Sequence, residues 1–185
     1  MGVSYLNAVD IVDRINASFV ATERVSDFNS GVEFYGALTV PLDHDWVVKL
    51  EYAYLLASFK VTSLYPGSDF SIHAHLPTVI AQYVLVDHVL YNVKAGFGIG
   101  YHFGSYSERY SIVDAQYTGN GLGAKLDLEA NTAFGEHIYG YLGGDLRWEF
   151  IGTLSDKENQ SSNVGVLPTM HLFSIGAKLG FTYLF

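Results

Sequence analysis

The sequence predicts an all-β protein, an eight-stranded antiparallel up-and-down transmembrane β-barrel, and three observations lead there. The 185-residue chain is 49% hydrophobic and 15% aromatic but only 16% charged, against roughly 25% charged residues in a soluble domain. It has no apolar run of the ~18 residues that a membrane helix needs; its best stretches, 79–86 and 95–101, are short and interrupted by Gly, Gln or Tyr. Segment after segment alternates large apolar side chains with small or polar ones, which is how a strand divides its two faces. A closed barrel reconciles all three, because it satisfies its backbone groups internally and spreads apolar surface over alternate residues.

The C-terminal segment alternates most plainly. Phe173, Ile175, Ala177, Leu179, Phe181, Tyr183 and Phe185 share one phase, and Leu172, Ser174, Gly176, Lys178, Gly180, Thr182 and Leu184 share the other. The same division recurs over 138–150, 122–134, 91–103, 46–56 and 32–40. Pro77, Val79, Ala81, Tyr83 and Leu85 make a less regular strand, and Ile15, Ala17, Phe19 and Ala21 are expected to make the first. The connections alternate in length. Asp43-His44-Asp45, Asp87-His88 and Gly135-Glu136-His137 are tight turns, and long loops are expected near 23–30, 62–70, 105–120 and 153–168. An even-stranded barrel places the tight turns and both termini at one end. Trp46, Tyr91, Tyr139, Tyr183 and Phe185 fall at that end, where an aromatic girdle belongs. Residues 1–185 read as one domain. Residues 1–13 are either an extended lead-in, the preferred reading, or a short helix suggested by the spacing of Leu6, Val9, Val12 and Ile15. No signal peptide is legible at the start, although delivery to an outer membrane requires one.

Charge placement carries the second argument. Glu33, Lys49, Glu51, Lys94, Lys125, Asp127, Glu129, Asp145, Arg147, Glu149 and Lys178 all fall in the non-apolar phase of their strands. In a membrane barrel that phase faces the lumen. Eight strands leave a bore only just wide enough for side chains, so these five cations and six anions are expected to pair into an ionic plug. A soluble eight-stranded barrel would invert the pattern, with apolar residues inside and charges outside.

Composition excludes several function classes. A net charge of −9 and a pI near 5.0 disfavour nucleic acid, which recruits clustered Lys and Arg. With no Cys there is no disulfide framework and no thiolate metal site. His73 and His75 share a strand face, but no third ligand can be placed beside them, so no metal and no cofactor is expected. His102 with Ser105 and His171 with Ser174 have the wrong parity to share a face, so no catalytic Ser–His pair is legible and no enzyme is expected. Pro77 lacks a ladder donor and marks a break in strand pairing; that break is either a lateral gap or a bulge at the strand's outer end.

The strands also carry a resemblance. Phe173–Phe185 looks like the C-terminal signature of Gram-negative outer-membrane barrels, which implies Phe185 as the signal read by the barrel assembly machinery. His75-Leu76-Pro77-Thr78 followed by Ala81-Gln82-Tyr83 resembles the "HLPPT…AQY" stretch of the outer membrane protein W (OmpW) family, and Val93–Tyr101 resembles that family's glycine-rich next strand. The match covers about Ala74 to Gly104, is looser over 121–185, and does not extend to residues 1–30. The resemblance implies an integral barrel of the bacterial outer membrane, among lipopolysaccharide, that conducts small hydrophobic molecules through a laterally opening lumen. His75, Leu76, Pro77 and His102 are then the candidate ligand and lateral-opening residues. The charged inward phase departs from such a lumen. The expected function is therefore a conduit for small hydrophobic molecules, with a closed structural or interaction barrel of the OmpA and OmpX type as the alternative.

Overall fold

Period-two segments become strands of a single antiparallel sheet in the computed structural model, which describes residues 1–18, 28–60, 69–110, 113–156 and 167–183. In chain order the elements are β1 (Gly2–Asn7), α1 (Val9–Ser18), β2 (Phe28–Pro41), β3 (Trp46–Lys60), β4 (Asp69–His88), β5 (Tyr91–Tyr110), β6 (Val113–Ala133), β7 (Ile138–Thr153), β8 (Ser155–Asp156) and β9 (Thr169–Tyr183). Each strand from β1 to β7 pairs with the next, and β9 pairs with both β7 and β1, which closes an eight-stranded ring. Closure leaves the ring without a free edge. β8 is a two-residue patch on Tyr117 and Thr118 of β6.

Three tight turns mark one end. Asp43 Oδ1 accepts from the backbone N–H groups of Asp45 and Trp46 at 3.0 and 2.9 Å, which builds the β2–β3 turn from its own side chain. At the same end the Met1 amino group donates to the Leu179 carbonyl at 2.9 Å. Aromatic rings gather there too, with Trp46 against Tyr83, His88 against Tyr91 and His137 against Tyr183. Above them the outer wall is apolar: Leu38, Leu50, Phe97, Leu122, Leu142 and Leu179 are each between 53% and 67% exposed. A surface of this kind loses about 2 kcal/mol per large side chain in water and loses nothing against lipid. The belt is the membrane-facing surface of the barrel.

Two elements depart from the sequence expectation. The first ring strand is Gly2–Asn7, not the segment around 15–22. Val3 and Tyr5 face out while Ser4 and Leu6 face in, so the expected lead-in is itself a strand. Ile15 and Ala17 lie in α1, and Phe19 and Ala21 fall outside the described residues. Burial of Ala8, Ile11, Val12 and Ile15 shows why: their spacing makes a helical stripe that a strand would split between two faces. Because β1 climbs away from the tight-turn end, α1 sits at the opposite, long-loop end.

The second departure is the segment 105–120, expected as a long loop. It is strand almost throughout, since β5 reaches Tyr110 and β6 starts at Val113. Side-chain parity continues unbroken there, but polarity reverses. Tyr106 and Tyr117 point inward and are buried, while Ser107, Arg109, Asp114 and Gln116 take the outer phase. A wall standing above the lipid meets water, so its outer residues become polar without any change of register.

Close strand approach depends on particular glycines. A Cβ at Gly121 would collide with the Phe150 carbonyl across the β6–β7 pair, whereas one at Gly36 would meet nothing within 4 Å. Gly121→Leu should therefore lower unfolding stability by about 1–3 kcal/mol and Gly36→Ala should change it little. Urea titration of the barrel in detergent, read by heat-modifiable mobility, checks both; equal midpoints would refute the packing described.

Candidate functional site

The interior of the barrel is the candidate site, and its inward side chains form three storeys. At the base, toward the tight turns, Tyr35 of β2 and Tyr141 of β7 lie 5.5 Å apart between ring centroids. Lys178 Nζ stands 5.0 Å over the Tyr35 ring and Lys49 Nζ 5.6 Å over the Tyr141 ring, so the aromatic floor faces the cations above it.

The middle storey is ionic. Lys49 reaches Asp127 at 2.7 Å and Glu129 at 2.8 Å. Lys125 reaches Glu51 at 2.6 Å and Asp127 at 3.0 Å. Lys178 bridges Glu33, Asp145 and Glu51 at 2.8, 2.9 and 3.0 Å. Arg147 holds Glu33 at 3.0 Å and Asp145 at 3.4 Å, with Glu149 at 3.7 Å. Lys94, at the rim of the cluster, reaches Glu129 at 3.2 Å. Gln82 and Asn131 donate to the same carboxylates, Gln82 to Asp127 at 2.8 Å and Asn131 to Glu129 at 2.7 Å. These contacts join β2, β3, β4, β5, β6, β7 and β9 across the bore. The cluster holds five cations against six anions, and Glu149, the carboxylate farthest from a cation, contacts His102 Nδ1.

The upper storey is apolar. Leu55 and Ala57 of β3, Phe70, Ile72, Ala74 and Leu76 of β4, Ile151 of β7, and Met170 and Leu172 of β9 form one buried cluster with α1. The helix contributes Ile11, Val12 and Ile15 from one face and leaves Val9, Asp13 and Ala17 outward. Arg14 Nε donates to Glu108 of β5 at 2.7 Å, and its guanidinium lies 5.4 Å from the Tyr117 ring. Asp10 meets His171 of β9 at 2.6 Å. Above β1 the helix stands where the wall thins. β9 pairs with β1 only as far as Phe173, and among the described residues Thr169–Leu172 pair on the β7 side alone.

The four residues proposed for a lateral opening are not brought together. Leu76 and His102 are inside and fully buried, while His75 and Pro77 are in the outer phase. His75 Nδ1 is 2.6 Å from the Tyr52 hydroxyl, and Pro77 pairs with Tyr52. The β4–β5 ladder does break beside Pro77, passing from His75–Phe103 to Thr78–Gly100 with no slip in register. The break is filled: the space a Gly100 Cβ would take is held by the Pro77 carbonyl and the His102 imidazole. His102 is further fixed by Thr78 at 3.2 Å. Gly104 likewise faces Ile151 and Met170, each 2.7 Å from its virtual Cβ. Phe185 lies outside the described residues. Among the described residues no cluster of three metal-ligating side chains is present.

A short helix is the second reading of residues 1–13; the helix runs over Val9–Ser18, and its polar anchors Asp10 and Arg14 are what sequence reasoning missed. The signal was present in the spacing of Ile11, Val12 and Ile15 with Asp10 in the first turn.

No family model matches the chain, and no curated relative does. Among solved structures it is similar to Neisserial surface protein A, at 11% identity and a TM-score of 0.53 over 99% of this chain and 94% of that one. It is also similar to the outer membrane protein OprG from Pseudomonas aeruginosa, at 16% identity and a TM-score of 0.52 over 98% of this chain and 94% of that one. The likeness is one of fold, and the fold is that of outer-membrane eight-stranded barrels.

Charge balance sets the sign of a mutational test. Arg147→Met strips a shared cation from Glu33 and Asp145, and should cost about 3–5 kcal/mol, as breaking a buried pair does. Glu149→Gln removes the excess anion and keeps the side-chain volume, so it should cost well under half as much. Urea midpoints of the two variants in one detergent decide; a Glu149→Gln loss equal to that of Arg147→Met would sink the argument.

Proposed function

We propose that this chain is an integral protein of the bacterial outer membrane whose barrel is closed through its bore and works through its outer surface. The observation that carries this reading is that both halves of the bore are filled, by the ion-pair cluster below and by α1 with its apolar cluster above. The apolar belt and the likeness in fold support outer-membrane residence. Insertion by the barrel assembly machinery and contact with lipopolysaccharide belong to the same proposal. With Lys49, Lys125, Arg147 and Lys178 each in contact with two or more carboxylates, an ion or polar solute crossing the bore would have to break several buried pairs at once. Each broken pair costs several kcal/mol.

A second reading, a conduit for small hydrophobic molecules, is favoured by one observation. The upper storey is apolar on the wall as well as on the helix, so displacing α1 would uncover an apolar chamber beside β9. What holds α1 at its polar edge is Arg14 on Glu108 and Asp10 on His171.

Uptake separates the two. Cells expressing the protein should accumulate an apolar fluorescent dye no faster than cells without it, and reconstituted barrels should show no stepwise conductance. The variant Asp10→Ala/Arg14→Ala should leave both unchanged if the barrel is closed in function. An increase of tenfold or more in dye uptake by that variant, or any protein-dependent uptake by the unaltered chain, would establish the conduit instead.

A further inference from the structure

The outer wall carries a second feature, independent of the bore. Where β4, β5, β6 and the end of β7 meet, a groove of about 630 Å³ opens on the barrel's exterior. Its lining is hydroxyl and amide: Ser105, Thr118, Thr153 and Ser155, with Gln116 and Asn120. His75, Phe103, Gly104 and Gly119 complete it, and among the described residues no Lys, Arg, Asp or Glu lines it. Two of its amides are already oriented, since Gln116 donates to the Ser105 hydroxyl at 3.1 Å and Asn120 accepts from the Tyr101 hydroxyl at 2.5 Å. The Phe103 ring is held edge-on to Tyr101, 5.5 Å between centroids, and is 46% exposed.

Depth in the membrane follows from the strands themselves. On β5 the outer phase is apolar or aromatic from Tyr91 to Phe103 and turns to Ser105, Ser107 and Arg109 beyond. Twelve steps at ~3.4 Å, tilted by ~45°, span about 29 Å, close to the ~25 Å apolar band of such barrels. The same switch occurs from Val79 to His75 on β4, from Leu122 to Asn120 on β6, and from Phe150 to Thr153 on β7. The groove therefore sits at the level where lipid tails end and headgroups begin, on the long-loop side.

We infer that this groove binds the uncharged saccharide headgroup of a lipid in the outer leaflet. Paired hydroxyl and amide groups that both donate and accept match vicinal sugar hydroxyls, and an exposed aromatic ring offers a face for the C–H side of a pyranose. A phosphate headgroup would instead call for Arg or Lys, and the nearest described arginine on β5, Arg109, lies at the strand tip in an ion pair with Asp114 at 3.3 Å. A lipid-linked sugar fits better than a free one because the groove opens sideways at the interface, where the acyl chains would lie along the belt of Tyr101, Ile99 and Phe97. This binding site does not depend on whether the bore opens.

The purified barrel in phosphatidylcholine nanodiscs, doped with either a neutral diglucosyl diacylglycerol or phosphatidylglycerol, provides the test, with co-retained lipid counted by native mass spectrometry. The expected result is a preference of at least tenfold for the glycolipid. That preference should be lost in Gln116→Leu/Asn120→Leu and kept in Thr39→Val at the opposite end. Heat-modifiable mobility confirms folding of each variant; if the double variant fails to fold, Ser155→Phe, which fills the groove, replaces it. Equal retention of the two lipids, preference for phosphatidylglycerol, or a preference untouched by the variants would overturn the inference. Displacement of the glycolipid by an equal concentration of the free disaccharide would overturn the lipid-linked assignment.

Discussion

Everything inside this barrel answers to one constraint: an eight-stranded bore has room for side chains but not for a hydration shell around each charge. Lys49, Lys125, Arg147 and Lys178 are buried with Glu33, Glu51, Asp127, Asp145 and Glu149, and each must find its counter-charge among the others. The consequence is a shared lattice of contacts and not a set of separate pairs. Lys178 alone draws on carboxylates from β2, β3 and β7. Such a lattice ties distant strands together in a part of the molecule where no apolar core exists. The apolar core sits one storey higher, where α1 supplies what the strands alone cannot.

That arrangement explains which features could be read from the sequence. Strand phase is legible wherever one face meets lipid and the other a polar lumen, and 91–103, 122–134 and 138–150 satisfy both conditions. The charged residues among them fall inside by parity alone. Legibility fails where the environment changes along a strand while the register does not. In the upper part of β4, Phe70, Ile72 and Leu76 face inward and Ser71, His73 and His75 outward, the reverse of the pattern at Val79 and Tyr83 below. Read against a single rule, those residues look like an interruption. Read with water outside and an apolar storey within, they continue the same strand.

The N-terminal segment was opaque for a different reason. β1 is six residues long and offers only Val3 and Tyr5 to lipid, too few for a period to stand out from chance. The stripe of α1 belongs to a short helix whose burial depends on a surface assembled from seven strands, β1, β3, β4, β5, β6, β7 and β9. The wall divides His75, Leu76, Pro77 and His102, because successive residues of a strand take opposite faces. His75 and Pro77 belong to the outer phase, Leu76 and His102 to the inner.

The seam between β1 and β9 has a kinetic meaning as well. Gly2 pairs with Lys178 and Asn7 with Phe173, so the ring is completed by residues from opposite ends of the chain. The last strand also brings the cation shared by Glu33, Glu51 and Asp145. Before it docks, three carboxylates on three strands face one another without that charge, and the sheet has two open edges. A partly assembled barrel is thus penalised by both backbone and side chains. Folding of this chain should be a single late event, governed by loop closure over nearly its whole length, with the C-terminal strand acting as keystone for the lattice and the ring together.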